Sequence, residues 1–301
     1  MVIDEVYDGP YTIFYAVDPA AKTRVAFLVT EEGATEATAR RFLIQLQTYP
    51  LVVIGVTTDG SSIYPRPLAE VFPGARHQVC EFHTVKDMNL LALRAVAGVR
   101  KRLRALLLPR RKGRPAKRMS PQARRQARQE QAIRDRIAAL WENRYLFVQK
   151  HLTACKQARL KRITRGQPPL RALRELIVTV YQLFDRRCST ATALKKLDRL
   201  RRRHLFAHFP TLHPLVRKLQ SPNLEKALEF LDDDLLEATS NAAERANRRY
   251  RKMQKTVYRF RCRRMIVARI TLDMLWQYQC QSRAAPAQAL PFLKAQRRAL
   301  A

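Results

Sequence analysis

Residues 2–30 read VIDEVYDGPYTIFYAVDPAAKTRVAFLVT. Three runs rich in β-branched and aromatic residues are separated by Asp8-Gly9-Pro10 and by Asp18-Pro19. Such runs, broken by residues that favour tight turns, predict an antiparallel meander of three strands.

Working outward, the spacing predicts a helix over Thr35 to Tyr49, then a strand in LVVIGVTTDG (51–60), whose unbroken apolar run suits a strand covered on both faces. A short helix around Pro67 to Phe72 and a last strand in RHQVCEF (76–82) follow. Three antiparallel strands, helix, strand, helix, strand is the order of a ribonuclease-H-like mixed five-stranded sheet, of class α/β. From about Thr84 to Glu237 the pattern changes to long helical periodicities with basic outer faces, as in RDRIAALWENRYLFVQKHL and PLRALRELIVTVYQLFD. The expected organisation is a first core part in 1–83 and a large all-helical insertion in 84–237, carrying a flexible linker at about 109–128. Final core helices fill 238–280, and a tail occupies 281–301.

The 301 residues carry 58 lysines and arginines against 25 acids, a net charge of +33. That excess exceeds what solubility requires and points to a polyanion, with nucleic acid ahead of a membrane surface. No apolar run has the length of a membrane span, and no secretory signal opens the chain. Five widely spaced cysteines without a Cys-x-x-Cys pair exclude a disulfide framework and suit a reducing compartment, so a cytoplasmic, nucleoid-associated protein is expected.

Asp4 lies in the first strand and Asp59 at the end of the fourth, strands that the topology makes neighbours. The stretch EATSNAAERANRRYRKMQKTVYRF (237–260) supplies a third acid, Glu244. As a helix it buries Ala243, Ala246, Tyr250, Met253 and Val257 along one stripe, with Glu244 beside the stripe in line with Arg248, Arg251 and Lys255. Three converging carboxylates are a platform for two Mg²⁺ ions roughly 4 Å apart, the arrangement that supports in-line phosphoryl displacement. The basic residues Arg245, Arg248, Arg251, Lys252 and Lys255 would hold a duplex DNA backbone. Ordinary roles stand beside these: Asn241 and Glu244 have the spacing of a capping box, and Asp4 and Asp59 could be plain strand and turn residues.

The motifs VIDEVYDG with Asp4, VTTDGSSIYPRPLAEVFPGARHQVCEFH with Asp59, and TSNAAERANRRYRKMQKTVYRFRC with Glu244 resemble the catalytic domain of DDE transposases of bacterial insertion sequences, in the group that includes Mutator-like enzymes. The resemblance implies Asp4, Asp59 and Glu244 as catalytic acids that bind Mg²⁺ or Mn²⁺, cleavage of DNA at element ends, and transfer of the freed 3′-hydroxyl to target DNA. It also implies a supporting place near the site for Cys80, His83 and Asn241. Members of the group carry a DNA-binding region ahead of the first Asp, whereas this chain starts three residues before Asp4. A fragment or an element remnant is therefore expected, and a remnant acting only as a basic DNA-binding protein is the alternative function. A homo-oligomer is left open.

Cys80 and His83 have the spacing of half a zinc site, but the sequence offers no second pair beside them. RRKGRPAKR, with Lys112 and Arg114, resembles an AT-hook that lies in a narrow A·T minor groove; a basic linker contacting phosphates is the plainer reading.

Overall fold

The structure is a computed structural model, and it describes residues 1–107, 120–203, 206, 208–255 and 259–279. The chain divides into two compact units, Met1–His83 with the described residues from Asp232 onward, and Thr84–Leu231.

The first unit is built on β1 (Val2–Asp8), β2 (Tyr11–Asp18), β3 (Thr23–Thr30), β4 (Gly55–Thr58) and β5 (Arg76–Val79), ordered β3-β2-β1-β4-β5. The β1–β2 and β2–β3 pairs are antiparallel, while β1–β4 and β4–β5 are parallel. Helices α1 (Glu36–Gln47) and α2 (Pro65–Val71) cover one face through Ile3, Phe14, Phe42, Leu43 and Tyr64. Helices α10 (Asn241–Gln254) and α11 (Arg263–Gln279) cover the other through Val6, Ile13, Tyr15, Tyr250 and Ile270. β2 is therefore buried from Tyr11 to Val17, which explains its unbroken apolar run in an antiparallel setting. Thr35 caps α1 by accepting from Thr38 N, and Thr38 returns the bond to the Thr35 backbone.

Two sequence expectations are corrected here. The fourth strand is only Gly55–Thr58; Leu51, Val52 and Ile54 precede it exposed, Val52 at 92%. Ladder partners set this limit. Gly55 O accepts from the Met1 amino group at 2.9 Å and Arg76 N reaches no further than Ile54 O, at 3.1 Å. The fifth strand ends at Val79, and Glu81, Phe82 and His83 form the first turn of α3 (Glu81–Ala105). An acid in a first helical turn meets the positive end of the helix dipole, so Glu81 favours this start.

The second unit is helical: α3 beyond His83, α4 (Pro121–Glu142), a 3-10 turn at Arg144–Phe147, α5 (Ala154–Ile163), α6 (Pro168–Leu183), α7 (Thr190–Arg201), α8 (His213–Leu219) and α9 (Pro222–Lys226). Arg174 Nη1 donates to the carbonyls of Leu146, Phe147 and Gln149 at 3.2, 3.2 and 2.8 Å, closing the end of the 3-10 turn. Of the linker expected at about 109–128, residues 109–119 lie outside the described residues, and residues 121–128 belong to α4. Ser120 caps it by accepting from Ala123 N, Pro121 suits its first position, and alternating Ala, Gln and Arg propagate it. The unit ends at Leu231, ahead of the Glu237 boundary expected from sequence. Lys112, Arg114 and the 281–301 tail lie outside the described residues, as does Val257.

Candidate active site

β1 pairs in parallel with β4 through Val2 and Thr57. Carried two residues along both chains, that register sets Asp4 beside Asp59, just past the end of β4. Successive strand residues face opposite ways. Val2 packs on Ala242, Ala243 and Ala246 of α10, so Asp4 shares the α10 face, whereas Glu5 follows Ile3 toward Tyr64. Asp59 Oδ1 accepts from Ser61 N at 2.8 Å, a local turn that fixes the acid. The turn runs through Gly60, whose φ of +91° lies in a region open mainly to glycine; a Cβ there would stand 2.9 Å from Val79 Cγ1.

The segment leading into α10 is tied to the sheet. Asp233 pairs with Arg76, Thr57 Oγ1 donates to Glu237 O at 2.7 Å, Glu81 N donates to Ala238 O at 2.8 Å, and Ser240 N donates to Cys80 Sγ at 3.2 Å. These contacts deliver α10 against β1 with Ala242, Ala243, Ala246, Asn247 and Tyr250 buried. Of the stripe expected from sequence, Ala243, Ala246 and Tyr250 are buried and Met253 partly so, with Asn247 added to it. Asn247 Nδ2 donates to Asp4 Oδ2 at 2.8 Å and to Glu5 O at 3.2 Å, and its own Oδ1 is buried without a protein partner.

Glu244 is half-buried one turn earlier. Its Oε1 accepts from Ser240 Oγ at 3.4 Å and lies 3.8 Å from His83 Nε2. The capping box is not formed: Ser240 precedes the helix, makes no side-chain cap, and Asn241 is the exposed first helical residue. Cys80 is fully buried, and its Sγ accepts from Ser240 Oγ at 3.4 Å. Arg245, Arg248, Arg251, Lys252 and Lys255 are all exposed on α10 and at its end.

Electrostatics follow from burial. The Asp4 carboxyl is pushed up to about 7, first by burial and then by the charges of Glu5 and Asp59, against the Glu5 N–H bond and His83. Burial also raises Glu5, partly offset by the hydroxyl of Tyr64, which donates to it. His83 is raised chiefly by its hydrogen bond with Cys80, with help from Asp59 and Glu244. For Cys80, burial pushes the thiol up, but hydrogen bonds from His83 and Ser240 outweigh it and leave the thiol below its usual value. Asp4 thus feels the negative charge of both Glu5 and Asp59, and carboxylate oxygens are the donors that Mg²⁺ or Mn²⁺ prefers. Among the described residues, however, no three His, Cys, Asp or Glu side chains are close enough together to hold a metal ion.

Sequence reasoning missed Glu5, Tyr64, Ser240 and Asn247. Asn247 alone carried a signal, since it stands three residues after Glu244 and four after Ala243 and so shares their side of the helix.

A mixed α/β sheet in this order, with one acid within β1 and another just past the end of the neighbouring β4, is compatible with a ribonuclease-H-like transposase core. The chain belongs to the family DDE_Tnp_ISL3, described as Transposase, whose model matches residues 1–270. No curated protein and no solved structure matches it.

Proposed function

We propose that this chain is a metal-dependent transposase that cuts DNA at insertion-sequence ends and joins the freed 3′-hydroxyl to a target strand, with Asp4, Asp59 and Glu244 as its acids. Membership of a transposase family supports the class, and one observation supports the site: the half-buried Asp4 carboxylate, raised by desolvation and by Glu5 and Asp59, and steadied by Asn247. Divalent ions held by these acids would polarise the scissile phosphate and an attacking hydroxyl. The chain's own residues then divide the remaining work. Asn247 orients Asp4, the Asp59–Gly60–Ser61 turn fixes the second acid, and Ser240 with His83 holds Glu244.

Arg245, Arg248, Arg251, Lys252 and Lys255 are assigned to DNA phosphates, and Lys112 and Arg114 to a minor groove. The insertion is assigned to the helical unit from Thr84, the setting to the nucleoid, and the assembly to a homo-oligomer on duplex DNA. The matching family is ISL3; Mutator-like kinship rests on the motifs alone.

A second reading, a basic DNA-binding remnant without chemistry, is favoured by the position of Glu244, which contacts Ser240 and His83 and, among the described residues, joins no three-ligand cluster. The deciding experiment incubates the purified chain with a plasmid carrying the element's ends, with Mg²⁺ or with chelator. Mg²⁺-dependent nicks and joined products are expected; binding without either product supports the remnant.

A further inference from the structure

On the flank of α10 away from Asp4 lies a cavity of 280 Å³ lined by Val17, Lys22, Arg24, Ala242, Arg245, Ala246, Arg249 and Gln277. At about 30 Å³ per water it has room for a phosphate and its hydration. Its construction is specific. β3 shifts register against β2 between Ala16 and Val17, pairing Ala16 with Ala26 but Val17 with Arg24. In a regular strand, residues two apart share a face. Here Ala26 packs with the α1 layer, while Arg24 pairs with Asp273 of α11 on the opposite face, so the bulge turns the arginine around.

Arg24 is 2% exposed, donates from Nε to Gln277 Oε1 at 3.2 Å and from Nη2 to Asp273, and its guanidinium carbon lies 6.0 Å from the centre of the Tyr15 ring. Gln277 Nε2 also donates to Lys22 O at 2.9 Å, fixing the turn that carries Lys22. Arg249 donates to the same Asp273 at 2.6 to 3.0 Å. Four cationic side chains therefore line the cavity, with Asp273 as the carboxylate that Arg24 and Arg249 share. An under-compensated, partly buried arginine cluster is a ready receptor for a phosphate, which matches guanidinium geometry.

We propose that this cavity is a phosphate socket that seats one backbone phosphate of duplex DNA, with Lys22, Arg24, Arg245 and Arg249 around it. The assignment rests on the reading that the chain acts on DNA. It gives the helix that carries Glu244 a fixed point on the substrate strand.

The test uses the full chain and the double variant Lys22→Ala/Arg245→Ala, whose changes fall on exposed residues, with Arg24→Gln as a second variant. In the first arm, thermal unfolding is followed in inorganic phosphate and in chloride at equal ionic strength. Wild type is expected to gain stability from phosphate beyond chloride, and both variants to lose that gain. In the second arm, affinity for a duplex is measured over a range of salt, and the double variant is expected to lower the log–log slope by about 0.9, the share of one phosphate. Equal effects of phosphate and chloride on wild type, or an undiminished phosphate effect in the variants, would overturn the socket. A phosphate effect with an unchanged DNA slope would overturn the backbone assignment and leave a site for a free anion. The first arm involves neither DNA nor cleavage, so its failure is separable from failure of the proposed chemistry.

Discussion

Asn247 holds Asp4 from across the helix–sheet interface, its amide donating to the Asp4 carboxylate at 2.8 Å and to the next carbonyl on the strand at 3.2 Å. Both contacts are acceptors, which fixes the amide orientation. A hydrogen bond to a charged group contributes roughly 1.5–3 kcal/mol. Asn247→Ala is therefore expected to lower single-turnover DNA cleavage about ten- to a hundredfold and to shift its pH profile upward. An unchanged profile with a lower melting temperature would assign Asn247 to stability alone.

Asp59→Asn keeps the shape of the side chain and removes its charge. Mg²⁺-dependent nicking and joining are expected to disappear, while duplex affinity stays within about twofold because phosphate contacts dominate it. Glu244→Gln is expected to behave alike. Should the Gln variant cut normally and only melt earlier, Glu244 is a partner of His83 and Ser240 and nothing more.

The Asp4 carboxyl stands at about 7 in the fold against 3.8 for the free group. Between those values the folded chain binds more protons than the unfolded one, so in chelator its stability falls as pH rises from about 4 to 7 and levels beyond. The accumulated loss is on the order of a few kcal/mol. Urea unfolding of wild type and Asp4→Asn at pH 5 and pH 8 measures it: the stabilisation conferred by Asn is expected to be larger at pH 8. A pH-independent difference between the two proteins rejects the shift.

Asp273 accepts from Arg24 and Arg249, and although burial pushes its carboxyl up, these arginines hold it below the ordinary value. A depressed acid contributes stability that is present above its unfolded pKa and lost as pH falls through its folded one. Asp273→Asn leaves Arg24 buried beside a neutral group and is expected to cost about 3 kcal/mol at pH 7 by denaturant unfolding. Half-exposed Arg249→Ala is expected to cost under about 1 kcal/mol. Equal costs would place the energy in packing and not in charge.

The strand meander, the nearness of Asp4 to Asp59, and the buried stripe of α10 were legible in the sequence because turn residues and the periods of two and three to four write them locally. The length of β4 was not, since hydrophobicity says what can be buried and only the ladder partners at Met1 and Arg76 say where pairing stops. Cys80 to Phe82 were expected on the last strand because Val79, Cys80 and Phe82 continue its apolar pattern; the helix begins there instead, with Glu81 N tied to Ala238, distant in sequence. The same distance hid Asn247, whose partner is Asp4, and Arg24, which a bulge turns to the face opposite the one its spacing implies.

Gly60 carries no chemistry, yet its φ of +91° is one that side chains rarely adopt and a Cβ there would stand 2.9 Å from Val79 Cγ1, so any other residue strains the turn that holds Asp59. A copy of this gene could therefore keep every acid intact and still be silenced by a single codon change at position 60. In a lineage of duplicating elements, an inventory of the proposed catalytic acids would count such a copy as active. Intolerance at this position should match that at the neighbouring aspartate, making the glycine as sensitive a marker of living copies as the acids themselves.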